Sequence, residues 1–130
     1  MTSTNKDPIL VVVQLTGGND YMNTVIPYEN PLYYDNRTTV GIAQEDVLPI
    51  GQGLAFNPAL SGIKNLYDQG KVALINGIGY PTPNRSHFRS MDIWHTCEPE
   101  KVGDEGWLGR AIRDLDPKAE NVLTGVNFGR

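Results

Sequence analysis

The sequence predicts an α/β fold, a mainly parallel sheet with flanking helices, and three observations predict it. Ile9-Leu10-Val11-Val12-Val13-Gln14-Leu15 is an apolar, largely β-branched run that breaks at Gly17-Gly18 and delivers Asp20 just beyond. Such a run reads as a strand buried on both faces, the kind found inside parallel sheets. Val72-Ala73-Leu74-Ile75-Asn76-Gly77-Ile78-Gly79 reads as a second buried strand after a helical segment. Strand, helix, strand at this spacing is a βαβ unit with a right-handed crossover. Asn121-Val122-Leu123-Thr124-Gly125-Val126-Asn127-Phe128 reads as a third strand.

The elements follow in order. Residues 1–8 are polar and predict a disordered lead into the first strand. Residues 21–56 carry turn signals at Pro27, Asn30-Pro31, Asp35-Asn36 and Gly51-Gln52-Gly53, so they read as one long irregular segment. Its Tyr28, Tyr33 and Tyr34 are expected to cover the sheet edge, with a cleft lining as the alternative. Asn57 caps the first helix, Pro58 suits its first position, and Leu60, Ile63, Leu66 and Tyr67 share a face. Gly70 closes it as a left-handed residue. A second helix spans 85–95, with Phe88, Met91 and Trp94 on one side, and a third spans about 105–115, stopped by Pro117. Trp94 and Trp107 read as core or interface anchors.

At 130 residues the chain falls within the usual range of about 100–200 for one domain. A last element that is a buried strand still needs covering layers, so the chain reads as a fragment or as one completed by a partner. The net charge of −4 argues against nucleic acid and anionic membranes, which favour basic patches. No apolar run approaches the ~18 residues of a membrane span. No export signal is visible and Cys97 is alone, which points to the cytoplasm. Without a cationic neighbour, Cys97 reads as inert.

Two places can carry chemistry. In open α/β sheets, ligands sit beyond the carboxyl ends of the strands, which is where Asp20 falls; Gly-Gly-Asn-Asp reads equally as a plain turn. Pro83-Asn84-Arg85-Ser86-His87-Phe88-Arg89-Ser90 follows the second strand at the same edge. Ser86 would lie in the first helical turn, where free N–H groups favour an anion, or act as a simple cap. Arg85 and Arg89, four apart, would share a helix face and grip phosphate or sulfate oxygens. His87 is adjacent to Ser86, but helix neighbours point about 100° apart. It therefore reads as a catalytic partner or as a histidine hydrogen-bonded at the helix start.

These residues also resemble a known family. Leu15-Thr16-Gly17-Gly18-Asn19-Asp20, Asn23-Thr24-Val25-Ile26-Pro27-Tyr28, Pro31-Leu32-Tyr33-Tyr34, Asn57-Pro58-Ala59-Leu60 and Gly79-Tyr80-Pro81 are similar to DUF1501 proteins. So are Arg85-Ser86-His87-Phe88-Arg89-Ser90-Met91-Asp92-Ile93-Trp94 and Gly106-Trp107-Leu108-Gly109-Arg110. The resemblance implies an alkaline-phosphatase- and sulfatase-like α/β sandwich, of which residues 1–130 would be the N-terminal part. It implies a metal-dependent hydrolase of phosphoric or sulfuric esters; the alternative, suggested by the missing formylglycine-type nucleophile and the long Tyr-rich segment, is a non-catalytic pseudo-enzyme or binding module using the same cleft for an anionic ligand or partner. Asp20 would hold a divalent metal (zinc, calcium, magnesium or manganese). Ser86 would be the nucleophile, with His87 beside it as a second catalytic candidate. Arg85, Arg89 and Asn19 would bind the anionic ester. The remaining metal ligands would come from polypeptide beyond these residues. The sulfatase cysteine motif is absent, its nucleophile position falling on Pro81.

Overall fold

The computed structural model describes residues 9–15, 18–121 and 123–128. It divides into two compact units, Met1–Ile75 and Asn76–Arg130. The expected lead at 1–8 lies outside the described residues.

The first unit is organised by short elements whose ends are chemically marked. They are α1 (Tyr21–Thr24), β1 (Val25–Ile26), α2 (Pro31–Asn36), β2 (Leu48–Gly51), β3 (Leu54–Phe56) and α3 (Ser61–Asp68). Asn30 caps α2, its side chain accepting from the Leu32 amide, and Pro31 supplies the preset φ of the first turn. Asn57 caps the 3-10 turn Pro58–Leu60 ahead of α3 in the same way. The end of α3 is a Schellman motif: Gly70 N–H donates to the Tyr67 carbonyl and Lys71 N–H to that of Leu66, with Gly70 at φ +69°.

The three strands form one antiparallel sheet in the order β1-β3-β2. Val25 faces Phe56 and Ile26 faces Ala55; Leu48 and Pro49 pair with Phe56 and Ala55 from the other side. The β2–β3 reversal runs through Gly51, Gln52 and Gly53 at φ +92°, +55° and +72°. Glycine at two of these three left-handed positions removes most of the steric cost. Ile26, Tyr33, Val47 and Ala55 make the core, with Met22, Tyr28, Tyr34 and Ile42 against it. Phe56 meets Tyr67 of α3 edge to face at 5.6 Å, which seats that helix on the sheet.

The second unit holds α4 (His87–Thr96) and α5 (Trp107–Leu115). Arginines tie its loops together. Arg89 donates to the carbonyls of Glu98, Pro99 and Lys101, the last at 2.7 Å. Arg110 donates to those of Glu105 (2.8 Å) and Thr96 (2.6 Å). Buried Thr96 donates to the Asp92 carbonyl and accepts from the Glu98 amide. Among the described residues, no helix is long and apolar enough to cross a membrane.

Mixed helix and sheet is therefore correct as a class, and the three helices expected over 57–70, 85–95 and 105–115 are present. Among the described residues the parallel sheet is not, and neither is the alkaline-phosphatase-like sandwich. The segments read as strands, 9–15, 72–79 and 121–128, are irregular over their described residues and belong to no strand. Their side chains are exposed, Val13 to 79%, Ile75 to 71% and Phe128 to 92%. The reason is that β-branched composition favours extended backbone, while a strand exists only where a neighbour supplies a ladder. In this chain the ladder forms inside 21–56, where tight turns bring short segments together at little loop-closure cost. Tyr33 likewise departs from an edge cover: it is 3% exposed, in the core.

The Tyr33 hydroxyl donates to Asn23 Oδ1 at 2.6 Å and accepts from the Ile42 amide at 2.9 Å. Tyr33→Phe strands both partners and is expected to destabilise the chain by about 1–3 kcal/mol, the cost of unsatisfied polar groups. Denaturant unfolding of the variant measures this; an unchanged midpoint would contradict the assignment.

Candidate functional site

Asp20 and its neighbours sit at the entrance to α1. Asp20 is the N-cap of that helix, its Oδ1 accepting from the Met22 amide at 3.2 Å. Its Oδ2 accepts from Arg37 Nη1 at 2.5 Å. The same guanidinium lies over the Tyr33 ring, 5.9 Å from its centroid. The hydrogen bond from Arg37 is the main reason the Asp20 carboxyl is held below the ordinary carboxylate range. Asn19 serves the same turn: the Thr24 hydroxyl lies 3.2 Å from its Oδ1 and 2.9 Å from the Asp20 carbonyl.

This arrangement bears on the expected metal. Hard divalent cations take about six or more oxygen ligands, several of them anionic. Asp20 has one oxygen on a backbone amide and the other on a guanidinium. No group of three His, Cys, Asp or Glu side chains able to hold an ion occurs among the described residues. Both Asp20 oxygens are engaged within the protein in this arrangement. Asp20 works as a clamp, joining the turn before α1 to the end of α2.

The second cluster surrounds the start of α4. Ser86 is its N-cap, with Oγ accepting from the Arg89 amide at 3.4 Å. Asn84 braces the approach: its Oδ1 accepts from the Ser86 amide at 2.8 Å, and its carbonyl accepts from the Ser90 hydroxyl at 2.7 Å. These two caps start the helix at His87, which leaves Arg85 outside it. The expected sharing of a helix face by Arg85 and Arg89 is therefore corrected. Arg89 turns to the carbonyls at 98–101 and to Asp92, 3.3 Å away. Arg85 is exposed and has no ion pair or hydrogen bond among the described residues. His87 is the first helical residue, and no hydrogen bond joins it to Ser86 Oγ among those residues.

Asn19, Asp20 and Arg37 belong to the first unit, and Arg85, Ser86, His87 and Arg89 to the second. Sequence reasoning missed Arg37 and the bracing role of Asn84. Nothing in the spacing pairs positions 20 and 37, which meet only because α2 folds back. Asn84, by contrast, was legible as a side-chain turn two residues before a helix. No family model, curated protein or solved structure matches the chain.

The clamp carries a pH signature. The folded carboxyl of Asp20 titrates below its unfolded value, so its stabilisation is complete above the unfolded value and is lost as pH falls through the folded one. Asp20→Asn keeps an N-cap acceptor but removes the ion pair. In acid titrations followed by circular dichroism, the variant is expected to lose less stability between neutral and acidic pH than the wild type. Identical pH profiles would contradict the clamp.

Proposed function

We propose that the chain binds the anionic head of a phosphoric or sulfuric ester at the start of α4, as the N-terminal part of a hydrolase-like domain resembling DUF1501 proteins. One observation carries the reading. Ser86 caps a ten-residue helix inside the segment whose resemblance is most specific, and Arg85, the preceding residue, is exposed with no ion pair or hydrogen bond among the described residues. First-turn N–H groups and the helix dipole favour negative charge at that point. A neighbouring guanidinium adds a planar, permanently charged fork matched to phosphate or sulfate oxygens.

Hydrolysis asks for more than binding. A serine hydroxyl becomes a useful nucleophile through an adjacent base or a metal. A bound divalent ion would polarise the ester and favour the Ser86 alkoxide, whereas Asp20 is engaged by Arg37. The Ser86 oxygen meanwhile serves as a cap acceptor. These two observations favour the non-catalytic form of the proposal, a module that holds an anionic ligand without turning it over.

Calorimetric titration with p-nitrophenyl phosphate and p-nitrophenyl sulfate tests the proposal. Saturable binding is expected, weakened about tenfold by Arg85→Ala, the worth of one charge-assisted contact. Ser86→Ala is expected to cost about 1 kcal/mol of stability as a lost cap. Release of p-nitrophenolate that vanishes in Ser86→Ala would favour the hydrolase over the binding module. Wild-type protein that takes up neither probe would contradict both.

A further inference from the structure

Residues 72–79 contain the sole Asn-Gly pair of the sequence, Asn76–Gly77. Both residues are exposed and lie in irregular backbone. Among the described residues, neither the Asn76 side chain nor the Gly77 amide has a hydrogen-bond partner. Gly77 is at φ +73°, and the space where a Cβ would sit is open, with no heavy atom within 4 Å. Three other asparagines are held by their side chains: Asn23 by Tyr33 and Val40, Asn57 by Asn23 and Ala59, Asn84 by Ser86.

We infer that Asn76–Gly77 is a site of spontaneous deamidation, an intramolecular modification that converts Asn76 to aspartate or isoaspartate. The backbone nitrogen of Gly77, on losing its proton to solvent base, attacks Cγ of Asn76. A new C–N bond closes a five-membered succinimide, the Cγ–Nδ2 bond breaks, and Nδ2 leaves as ammonia after taking up a proton. Water then opens the ring at either carbonyl. The net change is amide plus water to carboxylic acid plus ammonia, with no redox step.

Three features favour this pair. Nucleophile and electrophile are adjacent in one chain, so ring closure has the entropic advantage of an intramolecular reaction. Glycine presents no Cβ to obstruct the ring and tolerates the backbone torsions the attack requires. The attacking nitrogen is not tied into a ladder or helix. Deamidation places a carboxylate in the middle of an apolar segment, and the isoaspartyl product also lengthens the main chain by one carbon.

The experiment incubates the intact protein in mildly alkaline buffer and follows the tryptic peptide 72–85 by mass spectrometry, with electron-transfer fragmentation to separate the aspartyl isomers. Asn84 lies in the same peptide and serves as the internal reference. Amide loss is expected at Asn76 severalfold ahead of Asn84, with isoaspartate among the products, and Gly77→Ala is expected to slow it severalfold. Asn76 remaining intact in the protein while the free peptide of the same sequence deamidates would overturn the inference. So would an unchanged rate in Gly77→Ala.

Discussion

The first unit depends on a buried phenol. Tyr33 reaches from α2 to the Asn23 side chain in α1 and to the Ile42 amide in the loop before β2. A hydroxyl that both donates and accepts satisfies two groups that would otherwise be costly away from water. Its ring meets Tyr34 edge to face at 5.0 Å and offers its face to Arg37. Asn23, fixed from one side by this phenol, donates to the Val40 carbonyl from the other. One side chain thus holds two helices of only four and six residues, lengths too short to persist alone in water.

Charge divides into groups that build structure and groups left open. Asp20 with Arg37 and Lys64 with Asp68 are spent within the first unit, and Arg89, Arg110 and Arg113 within the second. Arg89 illustrates the point, since a guanidinium aimed at three carbonyls fixes a loop. Arg85, one residue ahead of the helix cap, is not engaged in this way. The specific Arg-Ser-His-Phe-Arg segment therefore separates into a structural arginine and an available one.

Legibility followed the range of the determining interactions. The caps at Asn57 and Ser86, the proline at position 58 and the left-handed Gly70 act within one helical turn, and all were readable. The sheet was not, because β1 has two residues and β3 three, too few for a period-two pattern to register. Apolar runs such as 9–15 announce extended backbone without naming a partner, and pairing is the part that makes a strand. The Asp20–Arg37 contact has the same character: each residue is visible, but their meeting is a product of tertiary folding. The candidate anion site was half legible, with Ser86 correctly placed at a helix start and Arg89 assigned to a ligand it does not face.

Anion recognition at the start of α4 is the central proposal. Amide chemical shifts recorded by nuclear magnetic resonance during titration with inorganic sulfate and phosphate test it most directly. Saturable shifts concentrated at the amides of residues 86–89 are expected, with the Arg85 side chain responding in parallel. Shifts centred on Asp20 and Arg37, or none that saturate, would contradict it.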